Sequence, residues 1–176
     1  MLENLDGACI FYSPQEREAF VRGQLCEQWY KRYPMLFDAD DFRITRNQRL
    51  HHFNEWLAAI HLFRAYGVLS LVEKYQFKAH PNKQVVLRRV LPARVWDFFM
   101  SDLTSQARGQ CPDLFVYDTS FSDYAFVEVK RLSEPMTKSQ PARFEQLTEV
   151  SGRPVHVLRT KELRADPLSQ QAPQTS

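Results

Sequence analysis

The sequence predicts a mixed α/β fold, on three observations. Residues 14–66 carry apolar stripes of helical period with capping signals at their ends; past Gly109 the chain turns to short β-rich runs; and a further helical pattern separates those runs from a last strand. At 176 residues the chain has room for one domain and too little for two of ordinary size. Apolar residues at 44% and charged ones at 25% give the balance of a globular protein rather than a disordered one. No stretch approaches the ~20 consecutive apolar residues that a bilayer needs, so no membrane role is expected. The start, MLENLDGACIFYS, has two acids and no basic segment ahead of an apolar one, which argues against a secretory leader. Cys9, Cys26 and Cys111 are odd in number and lack CxxC or zinc-finger spacing, as expected of reduced thiols in a cytoplasmic protein.

Taken in order, Ser13-Pro14 followed by QEREAFVRGQLCEQWYKRY predicts a capped helix over 14–33. It has acids near its start, Lys31 and Arg32 near its end, and Pro34 as its stop. A second helix is expected over about 47–66, closed by Gly67. Leu50, Phe53, Trp56, Leu57, Ile60 and Phe63 line one face, while Glu55, Ala58, Ala59 and Leu62 line the opposite one. Such a helix is sandwiched, with Glu55 on a stripe of small side chains. Residues 68–77 read equally as a strand or as the tail of that helix. Pro92 opens a short helix, and strands are expected at 114–117 and 124–129 around a turn at 119–123. Ser139 and Pro141 introduce a helix that Gly152 closes, and VHVLR forms the last strand. The Pro-rich polar segment 165–176 is expected to be disordered. These readings divide the chain into an N-terminal helical extension (1–45), a core (46–164) and a tail.

Formal net charge is only +2, but its distribution is uneven. Residues 78–94 hold Lys78, Lys83, Arg88, Arg89 and Arg94 with no acid, and Arg43, Arg46, Arg49, His51 and His52 make a second basic run. Either these are two solvated surfaces or they face phosphates, since a local basic stripe matters more than the total.

The chemistry is concentrated in the expected hairpin. Pro112-Asp113 stands at the entrance of its first strand and Glu128-Val129-Lys130 at the exit of its second, so antiparallel pairing brings Asp113, Glu128 and Lys130 together. Glu128 and Lys130, two apart, leave the same face, and Val129 points into a core. Two carboxylates supply hard oxygen ligands for Mg²⁺, which keeps waters and takes a phosphate as a further partner. A lysine beside them can orient water or hold charge developing on the phosphate. A Glu-x-Lys pair on a strand is most often a surface ion pair. The distinguishing feature is the joint pattern, both motifs in order on one hairpin.

At these residues the sequence resembles the PD-(D/E)XK nuclease superfamily, and over 111–159 its VRR-NUC branch. The resemblance rests on Pro112-Asp113-Leu114, Glu128-Val129-Lys130, the segment from Met136 to Gln140, Gly152 and the strand at 155–159. It implies a restriction-endonuclease-like α/β core, a mixed central sheet flanked by helices. It further implies Asp113, Glu128 and the Val129 carbonyl as metal ligands, Lys130 as the catalytic lysine, and Gln140 as a group positioning water or phosphate or capping the helix. An acid from the first core helix often completes the site, with Glu55 as the candidate and Glu73 the weaker competitor. The cofactor implied is Mg²⁺, for which Mn²⁺ can substitute. The family's usual Gly shortly after the E-V-K triplet is absent, and Arg131 stands there as a further phosphate contact or a residue that closes the metal site.

Three functions compete. One is an Mg²⁺-dependent endonuclease for branched, flapped or duplex DNA, with Lys78, Lys83, Arg88, Arg89 and Arg131 as DNA contacts. The second is a catalytically silent nuclease-fold module that binds DNA or a protein partner. The third is a small globular adaptor with an accidental motif, acting through the aromatic-rich N-terminal helices, which an exposed Trp29 or Trp96 at an interface would support; a homodimer or protein partner through those helices is a further expectation.

Overall fold

The computed structural model describes residues 8–72, 75, 81–102 and 111–163. A strand that the sequence did not announce, β1 (Cys9–Tyr12), leads into α1 (Pro14–Val21). Ser13 caps α1 as expected. Its Oγ accepts from the Glu16 N–H at 3.1 Å, and the Glu16 carboxylate accepts from the Ser13 N–H at 2.8 Å.

The helix expected over 14–33 is two helices, α1 and α2 (Gln24–Arg32), broken at Gly23. Gly23 has φ +90°, and the Arg49 guanidinium lies 2.8 Å from where a Gly23 Cβ would stand. A side chain there would meet both backbone strain and a collision, so the break belongs to a tertiary contact as much as to local preference. Next comes α3 (Ala39–Asn47), opened by reciprocal bonds between Asp38 and Asp41 at 2.8 and 3.0 Å. The long second helix is α4 (Phe53–Tyr66), ended by Gly67 in the left-handed conformation. It starts later than its periodicity suggests because a turn follows α3.

The ambiguous segment after α4 contains a strand, β2 (Leu69–Val72), followed by α5 (Pro81–Val90), which was not expected, and α6 (Ala93–Asp102). Then come the expected hairpin, β3 (Leu114–Tyr117) and β4 (Tyr124–Arg131), the helix α7 (Gln140–Ser151) and the strand β5 (Val155–Glu162). Glu73, Lys78 and the tail at 165–176 lie outside the described residues.

The fold is mixed α/β. Five strands form one sheet in the order β1-β5-β4-β3-β2, antiparallel from β2 through β4 and parallel across β4, β5 and β1. Parallel pairing of β4 with β5 requires a crossover, which α7 supplies. Two apolar layers cover the sheet. On one face Val127, Val129 and Leu158 pack with Trp56, Ala59 and Leu62 of α4 and with Phe20 and Cys26 of the N-terminal helices. On the other, Phe115 and Phe126 pack with Leu87 of α5, Phe99 of α6 and Leu147 of α7. Both faces of α4 are buried, as its two stripes predict; Phe37 stacks on Trp56 with ring centroids 3.7 Å apart. Trp29 stacks on Phe53 and Trp96 packs in the second layer beneath Arg88, so neither tryptophan presents a free interface. No helix among the described residues is long and apolar enough to cross a membrane.

Candidate active site

The hairpin register sets the geometry. Leu114 pairs with Val127, so Asp113, just before β3, falls beside Glu128 and Val129 of β4. The Asp113 Oδ2 accepts from the Val129 N–H at 2.8 Å, which fastens the acid to the residue between Glu128 and Lys130. Alternation along β4 sends Val129 into the layer under α4 and Glu128 and Lys130 to the face that carries Phe126.

Glu128 is 1% exposed. Its Oε1 is 2.7 Å from the Lys130 Nζ and accepts from the Gln140 Nε2 at 2.5 Å. Gln140 is itself oriented, because its Oε1 accepts from the Thr137 N–H at 2.9 Å. Gln140, the glutamine that the family resemblance singles out, thus lies against Glu128, while the expected Ser139 side-chain cap is not formed. The second carboxylate oxygen, Glu128 Oε2, is buried and has no hydrogen-bond partner. A carboxylate oxygen left unmatched in a dry site is costly unless a cation completes it.

Lys130 is buried as well, with Glu134 Oε1 at 3.5 Å on its outer side. Burial alone would lower its pKa, but the bond and charge of Glu128, with the charges of Asp113 and Glu134, outweigh that and raise it above the ordinary lysine value. The ammonium therefore persists across the neutral range; its stabilising contribution is present below about pH 10.4 and is lost only as pH rises through the higher folded value.

Three surrounding residues escaped the sequence reading. Tyr75 is buried, and its hydroxyl donates to the Pro112 carbonyl at 2.9 Å, holding the segment that delivers Asp113. Burial first, then the neighbouring Cys111, Asp113 and Glu128, push its phenol pKa well up. Arg143, one turn beyond Gln140, is buried with its guanidinium 4.2 Å from the Phe98 ring centre. Arg159 donates to the carbonyls of Arg131 and Glu134 at 3.1 and 2.7 Å and so braces the turn after Lys130. Only Arg143 left a trace in the sequence, the helical spacing from Gln140.

The remaining candidates lie on other elements. Glu55 lies on α4, which packs on the opposite face of the sheet, and among the described residues no group of three or more His, Cys, Asp or Glu gathers where a metal could sit. Lys83 is not a surface cation. It is 2% exposed, and its Nζ contacts the Asp41 carboxylate and the Val72 carbonyl, so its assignment to DNA is corrected here. The acid-free run around it concealed a partner far away in the chain. Arg88 and Arg89 are exposed, over the rings of Trp96 and Phe121 at 4.8 and 3.7 Å. Phe121 belongs to the hairpin turn, at the end of β4 remote from Lys130, a separation of roughly 20 Å along the strand. Arg131 is exposed, and alternation directs it away from Lys130.

These features define a class, a mixed α/β sheet whose central hairpin converges two carboxylates and a lysine. Compared with protein-family models and with curated proteins, the chain matches none. Among solved structures it is similar to paFAN1 bound to DNA with a two-nucleotide 5′ flap and a gap, at 19% identity and a TM-score of 0.40. That alignment covers 73% of this chain, which spans only 25% of the paFAN1 chain.

Proposed function

We propose that the chain is a divalent-metal-dependent DNA endonuclease whose site is Asp113, Glu128 and Lys130. The observation that carries this reading is Asp113 fastened to the Val129 N–H, next to a Glu128 whose Oε1 meets Lys130 and whose Oε2 is buried and unmatched. The donor set fits Mg²⁺, or Mn²⁺ in its place, since Mg²⁺ takes one or two carboxylates and fills its remaining positions with water and phosphate oxygens. Asp113 and Glu128 would hold it, with the Val129 carbonyl as a third protein ligand. When bound, it supplies polarisation of the phosphoryl group and a water of lowered pKa. The protein's own part is electrostatic and positional. Lys130 brings a fixed positive charge to the place where negative charge grows on the phosphate, and Gln140 and Arg159 hold the site and its covering turn in place.

Cleavage of labelled duplex, flap and four-way DNA tests this. Activity with Mg²⁺ or Mn²⁺, its absence in EDTA, and its loss in Asp113→Ala and Lys130→Ala are the expected results. Activity unchanged by either substitution would remove the site. The second reading, a silent module that binds DNA or a protein partner, is favoured by one observation: among the described residues no group of three or more His, Cys, Asp or Glu gathers where a metal could sit. DNA binding without cleavage in any metal would select it.

In either reading Arg88 and Arg89 are exposed members of the basic stretch, as is Arg94. Replacing both by alanine should flatten the slope of log K against log salt by about 0.9 per lost phosphate contact on duplex DNA. The same substitution at Lys83 should leave the slope unchanged.

A further inference from the structure

The break between α1 and α2 opens onto a hollow of about 370 Å³ that shares no residue with the acid–lysine site. Arg22, Arg46 and Arg49 line it, and the single acid on its wall, Glu27, is taken up by Lys31 at 2.7 Å. Arg22 is paired with Glu18, but neither Arg46 nor Arg49 is ion-paired among the described residues. Two guanidinium groups without an ion-pair partner among the described residues thus share one concavity, with the charge of Glu27 felt by Arg46.

Arg49 is held there by construction rather than by chance of rotamer. Its Nε donates to the Arg46 carbonyl at 3.1 Å and its Nη1 to the Val21 carbonyl at 3.4 Å. The guanidinium occupies space that only a glycine at position 23 leaves open. Arg46 lies over the ring of Phe42, which in turn stacks on Tyr30 with centroids 4.5 Å apart, so its base is rigid too. The charges of both arginines are felt at Cys26 on α2, although burial is the larger influence on that thiol. Planar, fixed guanidinium donors around a recess suit tetrahedral oxyanions.

We propose that this hollow binds a phosphoryl anion, held by Arg46 and Arg49 with Arg22 at the rim. The chemistry is shared by two sources, a phosphate monoester such as a mononucleotide and a phosphodiester of a nucleic-acid backbone. The site stands independently of the nuclease reading, because none of its residues belongs to the acid–lysine cluster.

Amide-resolved NMR on the full chain tests it, with inorganic phosphate, a nucleoside monophosphate and an oligonucleotide lacking terminal phosphates as probes. Sodium chloride at matched ionic strength is the reference. Saturable shifts at Gly23, Gln24 and Arg49 are expected, with affinity about tenfold or more weaker in Arg46→Gln and in Arg49→Gln. Arg43→Gln, which removes a cation paired with Asp40 instead, should bind as the parent does. A response to the two small probes alone assigns a monoester site; a response to the oligonucleotide assigns a backbone contact. Absence of saturable shifts with all three probes, or an affinity unchanged in Arg46→Gln, would overturn the proposal. Arg46 is exposed, so that variant keeps the fold even if Arg49→Gln disturbs Gly23.

Discussion

Lys83→Met is expected to lower the unfolding free energy by about 3–5 kcal/mol, the loss typical of one partner removed from a buried ion pair. Lys83 and Asp41 are each 2% exposed, and the pair ties α5 to α3 while Lys83 also reaches the last residue of β2. Methionine keeps the volume of the side chain, so the loss reports charge rather than a cavity. Asp41→Asn with Lys83→Met should recover most of it, because no ion is then stranded. The pH dependence provides a second check. Burial first of all, against the opposing charge and bond of Lys83, pushes the Asp41 carboxyl up to about 6. Its unfolded value is about 3.9. Between those limits the folded protein holds a proton that the unfolded chain does not, so on this group's account stability rises as pH falls through about 6. Lys83 holds that folded value down, so in Lys83→Met the carboxyl goes higher still; the penalty should be largest at alkaline pH and shrink as pH falls towards 6, because the stranded acid takes up its proton before the parent's does. Denaturant unfolding of the single and double variants across that range measures both effects.

Glu128→Gln should reduce cleavage by about 10²–10³-fold at saturating metal, the scale found when a preorganised electrostatic group or the support of a metal is removed. The substitution is isosteric at a residue that is 1% exposed, and an amide oxygen can still meet Lys130. Folding should therefore survive, as circular dichroism would show. Two further readouts separate lost chemistry from a disturbed scaffold. Affinity for Mn²⁺, measured by calorimetry, should weaken in parallel. DNA affinity measured without metal should rise rather than fall, since one negative charge facing the phosphates is gone. Reduced metal-free DNA binding together with unchanged Mn²⁺ affinity would exclude Glu128 as a ligand.

The hairpin was legible because its determinants are local. Two β-rich runs, a turn between them and acids at fixed offsets suffice to bring Asp113 beside Glu128 and Lys130, and strand alternation alone turns Val129 away from them. Gln140 entered through the family resemblance alone, and its bond to Glu128 is given by the structure. Gly67 and Gly152 end their helices where capping rules put them. The tertiary structure decided what depends on contacts between distant segments. Lys83 reads as a surface cation until the fold buries it against Asp41, 42 residues away. The first helix reads as continuous until Arg49 occupies the space beside Gly23. Periodicity states which face of an element is apolar, and only the assembled layers state what that face meets.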